Sequence, residues 1–271
     1  MSIILITGAT DGIGLETAKQ LARLGHELVL HGRSEEKVRR ACEAVLHTVP
    51  DAVLHGTHAD LADLDEVTHM AAELDKQLPR LDVLLNNAGV YMAEHRLSSN
   101  GFEMTLAVNY LAHFLLTRLL FPRLGKSPEP RVVTVSSVAH QSGRIPFDDM
   151  NGEHHYDAYH AYANSKLANA LFARELAQRE PWLTSNSLHP GVIDTKLLHA
   201  GFSMKGDAVE EGARTSVYLA ASPEVAGVSG KYFDRCAVAS ALPLVENRLL
   251  ARQLWEWTEG ALRPWLAAAT E

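Results

Sequence analysis

The sequence predicts an α/β fold built on a doubly wound, mainly parallel sheet, and three observations carry that prediction. Short apolar runs alternate with longer amphipathic stretches along nearly the whole chain. Runs such as Ile3-Ile4-Leu5-Ile6 and Val132-Val133-Thr134-Val135 are apolar or nearly so on both faces, as strands covered by helices on both sides are. A glycine-rich turn, Gly8-Ala9-Thr10-Asp11-Gly12-Ile13-Gly14, joins the first strand to the first helix.

In chain order the strands are expected at 3–7, 27–31, 53–58, 82–86, 131–136, 185–189 and 231–233. Helical patterns lie between them at 14–24, 35–48, 64–78, 103–123, 156–179 and 209–221. Right-handed crossovers between parallel strands then place helices on both faces of a seven-stranded sheet. There is no internal repeat and no linker-like break, so one domain is expected over 1–271, with a first half at about 1–130 and a second at about 131–271. A final stretch, 246–266, carries a helical apolar stripe at Leu250, Leu254, Trp257 and Ala261, for which packing on the sheet is the default.

Composition narrows the function classes. The chain has 271 residues, 46% hydrophobic and 21% charged, as a soluble globular protein does. A formal charge of −8 and the lack of a basic block argue against a nucleic-acid partner. No apolar run reaches the ~18 residues of a membrane span, and the first apolar run leads straight into Gly8, as a strand and not a signal sequence. Cys42 and Cys236 make no metal or disulfide pattern, so a reducing cytoplasm is expected. The fourteen histidines, including His154, His155 and His160, show no zinc-like spacing, and no metal is expected.

The glycine-rich turn suits a dinucleotide. Glycines at 8, 12 and 14 allow a tight exit from the strand, close approach of backbone to a pyrophosphate, and close packing of the helix on the sheet. The helix N-terminus offers free N–H groups and a positive dipole end. Where an acidic residue would bind the ribose of NAD, the second strand ends in His31-Gly32-Arg33-Ser34. Arg33 presents a fork of donors suited to a phosphate, so NADP(H) is favoured over NAD(H). Asp11, inside the turn, counts against it.

Tyr162 and Lys166 stand one helical turn apart on the same face. A neighbouring ammonium favours a phenolate and is expected to lower the Tyr162 pKa from ~10. Tyr156 and Tyr159 lack a lysine four residues on, so the cation selects Tyr162.

Together these features resemble the short-chain dehydrogenase/reductase family, whose marks run in order as Thr7-Gly8-x-x-x-Gly12-Ile13-Gly14, Asp60-Leu61, Asn86-Asn87-Ala88-Gly89, Asn109, Ser136-Ser137, Tyr162-x-x-x-Lys166 and Pro190-Gly191. Val135-Ser136-Ser137-Val138-Ala139-His140, Tyr162 to Asn169 and Leu188-His189-Pro190-Gly191-Val192 look most like its retinol-dehydrogenase-like branch. The resemblance implies a Rossmann-type fold and a carbonyl/alcohol oxidoreductase. It assigns Tyr162 as general acid or base, Lys166 to the nicotinamide ribose, Ser137 to the substrate oxygen (with Ser136 as the alternative) and Asn109 to a relay water. It also implies cofactor contacts from Gly8, Thr10, Asp11, Gly12, Ile13, Gly14, Arg33, Ser34, Asp60, Leu61, Asn87, Ala88, Gly89, Tyr162, Lys166, Pro190, Gly191, Val192 and Thr195, with Asn86 structural.

The 25 positions between Ser137 and Tyr162 are expected to form a long loop at the pocket mouth, and 193–206, with Leu197, Leu198, Phe202 and Met204, a mobile cover. Both imply a lipophilic aldehyde, ketone or alcohol as substrate. Family members commonly pair through the helices at 103–123 and 156–179, so a homodimer or tetramer is expected. Two other functions are open on this reading: an NAD-dependent alcohol dehydrogenase, and a non-catalytic NADP(H)-sensing protein, against which the four polar residues Asn109, Ser137, Tyr162 and Lys166 weigh.

Overall fold

The computed structural model describes residues 1–268. Eight strands are present: β1 (Ile3–Ile6), β2 (Glu27–Gly32), β3 (Leu54–His58), β4 (Val83–Asn86), β5 (Arg131–Val135), β6 (Thr184–His189), β7 (Tyr232–Asp234) and β8 (Ala237–Val238). They form one sheet in the order β3-β2-β1-β4-β5-β6-β7-β8. Seven run parallel, and the two-residue β8 turns back antiparallel beside β7. The seven-strand expectation therefore gains one strand. Its turn is made by Arg235 and Cys236, at φ 48° and 60°, residue types that carry no hairpin signal. Thr215 holds the turn by accepting from the Cys236 N–H at 3.2 Å.

The helices are α1 (Gly12–Arg23), α2 (Glu35–Thr48), α3 (Leu64–Gln77), α4 (Met104–Leu106), α5 (Ala112–Leu119), α6 (Phe121–Leu124), α7 (Ala158–Arg179), α8 (Lys196–Gly201), α9 (Val209–Ala221), α10 (Arg248–Ala261) and α11 (Arg263–Ala268). Helix α1 starts two residues before its expected position because Asp11 caps it, accepting from the Gly12 N–H at 2.9 Å. The expected helix over 103–123 is broken into α4, a π-helical turn at Ala107–Leu111, α5 and α6. Hydrophobic periodicity does not register one extra residue inside a buried turn, so the break left no trace in the sequence pattern.

The core lies on both faces of the sheet. Ile3 and Leu5 pack against α3, α5, α7 and α10, whereas Ile4 and Ile6 pack against α1, α2 and α9. Such two-sided burial is why the parallel strands read as continuous apolar runs. Strand β3 is an edge, and only Leu54 and Thr57 of it are partly covered.

The C-terminal stripe is rotated by one position from its expected line. The buried residues of α10 are Ala251, Leu254, Trp255 and Thr258, with Trp257 only partly covered. Trp255 stacks on Phe172 (ring centroids 6.0 Å) and meets Phe114 edge-on (4.7 Å), while Thr258 Oγ1 lies 2.7 Å from the Tyr110 hydroxyl. The guanidinium groups of Arg118 and Arg179 stand 5.5 and 4.8 Å from the Trp255 ring. With α10 laid across α5 and α7, any pairing of copies through those helices is confined to the surface that α10 leaves uncovered.

Two histidines that the sequence pattern did not single out are buried at the end of β1. His31 accepts from the Gly8 N–H through Nδ1 at 3.2 Å, so its proton sits on Nε2, 3.1 Å from the Ala59 carbonyl. His113, on α5, lies 3.1 Å from the Thr7 hydroxyl and 3.0 Å from the Asn109 carbonyl. Burial is the main reason that their pKa values fall from 6.5, to about 4 for His31 and about 3 for His113.

Truncating Trp255 to Ala removes the ring that joins α10 to α5 and α7, and we expect a loss of about 3–5 kcal/mol in urea unfolding. Acid should act through the two histidines. Above 6.5 neither state binds the protons, but below 6.5 the unfolded chain takes them up while the folded chain excludes them. Stability therefore drains away as pH falls from 6.5 towards about 4 and about 3. Urea unfolding near pH 5 should show a loss of about 2 kcal/mol per histidine relative to pH ~7; equal stabilities would contradict these buried neutral rings.

Candidate active site

The loops at the carboxyl ends of β1, β4, β5 and β6 converge on one cleft. At its floor Gly14 of α1 faces the end of β1 so closely that a Cβ there would lie 2.2 Å from the Gly8 carbonyl oxygen. Asn87 ties the two loops together: its Nδ2 donates to the Thr7 and Gly8 carbonyls at 2.8 and 3.3 Å, and its N–H to Thr7 Oγ1 at 2.9 Å. Ala88 N–H reaches the same hydroxyl at 3.0 Å. The glycine turn named for the pyrophosphate, from Gly8 through Thr10, Asp11, Gly12 and Ile13 to Gly14, is thus tied by hydrogen bonds to Asn87 and Ala88, which were expected on the adenosine side.

At the adenosine end, Gly32 is the last residue of β2. A Cβ there would come within 2.4 Å of Thr10 Cγ2, so any side chain at this position would have to displace the Thr10 methyl group. Arg33 follows, exposed, and Ser34 stands at the N-cap of α2 without spending its hydroxyl on the cap. Asp60 is held in its own turn, accepting from Ala62 N–H at 3.0 Å, whereas the Leu61 side chain is taken up by the core. Asn86 is fully buried and donates to Thr117 Oγ1 at 3.1 Å, a structural task.

The catalytic candidates come from β5 and α7. Ser136 is buried and donates to the Lys166 carbonyl at 2.7 Å, which commits its hydroxyl to tethering α7. Ser137 is only partly covered, caps the following 3-10 turn by accepting from Ala139 N–H at 3.2 Å, and hydrogen-bonds Tyr162. The geometry therefore separates the two serines. Tyr156 donates to the Met92 carbonyl at 2.7 Å and Tyr159 to Ser142 Oγ at 3.3 Å, so neither competes for the role of Tyr162.

Lys166 is buried with its Nζ 3.0 Å from the Val135 carbonyl and 5.6 Å from the centre of the Tyr162 ring. Burial lowers its pKa from 10.5 to about 8. The expected depression of the Tyr162 pKa is not what the structure gives. Burial raises that phenol to about 12, and the Ser137 hydrogen bond offsets only part of the rise. The ammonium looks past the phenol at a backbone carbonyl, and desolvation wins.

Asn109 sits in the π-helical turn, where wide turns often mark functional sites. Its Oδ1 accepts from Val90 N–H at 2.8 Å, and its Nδ2 donates to the Val90 carbonyl and Ser165 Oγ, both at 3.0 Å. Between Asn109 and Lys166 lies Gly89. A Cβ on it would sit 3.5 Å from Asn109 Oδ1 and 3.6 Å from Lys166 Nζ, so glycine keeps this gap open.

Pro190, Gly191 and Val192 lead from β6 over the cleft. Thr195 caps α8, accepting from Leu198 N–H at 3.3 Å, and its methyl group stands 3.4 Å from where a Gly12 Cβ would be. Lys196 pairs with Asp11 across this opening, so the carboxylate that counted against NADP(H) meets a cation. Helix α8 was not foreseen, and it folds down on the site. Phe202 and Tyr91 approach Tyr162 with ring centroids at 6.3 and 5.7 Å. The stretch before α7 forms a 3-10 turn and an irregular segment around a cavity of about 340 Å³. Arg144, Met150, His155, Tyr156 and His160 line that cavity, which does not reach Ser137 or Tyr162. His154 and His160 pair separately with Asp149 and Asp157.

Comparison with known proteins agrees with this geometry. The family model for short chain dehydrogenase matches residues 2–206. Human retinol dehydrogenase 14 is 40% identical over 94% of this chain and 84% of its own length. Mouse polyprenol dehydrogenase is 40% identical over 93% of this chain and 81% of its own. A short chain dehydrogenase from Shigella flexneri, solved in complex with NADP, superposes with a TM-score of 0.73 at 27% identity, covering 87% of this chain and 97% of that one. Among the described residues no helix is long and apolar enough to cross a membrane. With its sheet order, its glycine turn and these relatives, the chain belongs to the short-chain dehydrogenase/reductase family, in the retinol-dehydrogenase-like branch.

Proposed function

We propose that the protein is an NADP(H)-dependent oxidoreductase that interconverts a lipophilic aldehyde or ketone and its alcohol. The observation that carries this reading is the grouping of Ser137 beside the Tyr162 phenol and of Lys166 Nζ 5.6 Å from the Tyr162 ring, with Lys166 also bordering the gap kept open by Gly89. The bound dinucleotide supplies the hydride, which the side chains themselves cannot provide. It would lie along the glycine turn, with Asp60 and Leu61 towards the adenine, Gly89, Lys166 and Tyr162 near the nicotinamide ribose, and Pro190, Gly191, Val192 and Thr195 over the ring.

During carbonyl reduction, Tyr162 and Ser137 donate hydrogen bonds to the substrate oxygen, where negative charge grows, and Tyr162 delivers the proton. A phenol raised to about 12 is fully protonated at neutral pH, the form that reduction requires. Lys166 remains mostly an ammonium at neutral pH and turns towards the ribose hydroxyls. Asn109 orders the route by which the spent proton is replaced from solvent. In the oxidative direction the same phenol would have to lose its proton before it could accept one from the alcohol, so the protonated state described here serves reduction.

Arg33, the unspent Ser34 hydroxyl and a glycine, not a carboxylate, at position 32 support a 2′-phosphate and hence NADP(H). Tyr91, Tyr159, Leu197 and Phe202 around Tyr162 support an apolar substrate, in keeping with the retinol and polyprenol named for the relatives. The unpaired Cys42 and Cys236 support a reducing, cytoplasmic setting.

Tyr162→Phe should abolish turnover with a panel of retinoids and aromatic aldehydes, by at least about a thousandfold, while NADPH still binds in a fluorescence titration. Turnover near that of the wild type would refute the assigned acid. Arg33→Ala should weaken NADPH binding by roughly tenfold or more and leave NADH unchanged, since only one of the two carries the extra phosphate. Equal losses for both would remove the support for NADP(H).

A further inference from the structure

We propose that His113 is a positioning residue that locks the cofactor loop to the catalytic turn through a hydrogen-bond chain with only one arrangement of protons. The inference rests on the enzymatic reading above, and its first support is counting. The N–H groups of Asn87 and Ala88 can only donate, and both donate to Thr7 Oγ1, at 2.9 and 3.0 Å. That hydroxyl has then used both acceptor sites and must donate its own proton. The Leu85 carbonyl, 3.4 Å away, already accepts from the Thr7 N–H at 3.0 Å. His113 Nε2 is closer, at 3.1 Å, and takes the proton. The ring proton is thereby fixed on Nδ1, which donates to the Asn109 carbonyl at 3.0 Å.

Each end of the chain lies in a different half of the site. Thr7, Asn87 and Ala88 form the wall along which the dinucleotide lies. Asn109 belongs to the π-helical turn, and its side chain sets Val90 and Ser165, the residues on either side of the gap before Lys166. The ring is buried at 1% exposure, so water cannot substitute for either bond. Its resistance to protonation keeps Nε2 available as an acceptor at any pH at which the protein works. A histidine spans the two carbonyl- and hydroxyl-bearing segments because its nitrogens point in different directions from one rigid ring.

Two conservative variants cut the chain at opposite ends. The amide nitrogen of Asn stands where Nδ1 stands, two bonds from Cβ, so His113→Asn keeps the donor to Asn109 and loses Thr7. The longer Gln places its amide oxygen near Nε2, so His113→Gln keeps Thr7 and loses Asn109. Binding of NADPH is read by fluorescence titration, and kcat by turnover of the aldehyde that the wild type reduces best. We expect His113→Asn to weaken NADPH binding roughly tenfold with kcat retained, and His113→Gln to do the reverse, since a lost buried hydrogen bond has about that effect. Proton-detected nitrogen NMR of the histidine-labelled wild type should show His113 as the Nδ1–H tautomer. An Nε2–H tautomer, or two variants with the same profile, would overturn the proposal. A wild type that reduces no carbonyl would defeat the enzymatic reading alone, because the NADPH titration and the tautomer still decide the role of His113.

Discussion

The site depends on keeping an ammonium and a phenol out of water side by side. Lys166 and Tyr162 follow each other by one turn of α7, and both are buried under α8 and the β5 loop. For Lys166 the drop to about 8 corresponds to about 3 kcal/mol of lost preference for the charged form. That cost is tolerable only because the Val135 carbonyl faces Nζ and the Ser136 hydroxyl holds the turn of α7 by the Lys166 backbone. The same carbonyl also accepts from Asn169 Nδ2 at 3.2 Å, so the end of β5 is a rigid acceptor and not a passing contact. Tyr162 has only Ser137 to favour its anion, and burial keeps it a phenol.

The rest of the fold serves that arrangement. Parallel pairing brings the ends of β1, β4, β5 and β6 to one edge of the sheet, where loops from four strands can share a cleft. The π-helical turn between α4 and α5 directs Asn109 inward without ending the helical path, and His113 follows as α5 begins. Helix α10 braces the far side of α5 and α7 through Trp255, away from the cleft. The elements that carry the candidate catalytic residues are therefore backed by packed side chains, whereas α8 and Phe202 after it rest on Tyr91, Tyr159 and Tyr162 and on the surface ion pair of Lys196 with Asp11.

Much of this was legible in the sequence. Parallel strands buried on both faces announce themselves by continuous apolar runs, and the glycine turn and the Tyr-Lys pair do so by spacing. Helices α2 and α9 began and ended where the amphipathic pattern did. The remainder depended on tertiary context. The hairpin into β8 uses Arg235 and Cys236, not the usual turn residues, so nothing local reports it. The line of burial along α10 is set by Phe114 and Phe172 across the interface, which periodicity alone places only to within one residue. The Tyr162 pKa was read with the wrong sign because sequence spacing locates a charge but does not measure desolvation. His113 stood outside any motif and His31 entered only as the end of the second strand, so their roles emerge only from the groups that surround them.

The central claim is that Tyr162 is a buried phenol that keeps its proton at working pH. An ultraviolet difference titration of the cofactor-free wild type against Tyr162→Phe isolates this one residue. The phenolate of residue 162 should first form well above the ordinary tyrosine value, towards about 12. A phenolate appearing near neutral pH would show instead that the Lys166 ammonium governs the phenol, and would contradict the balance of burial and charge described for this site.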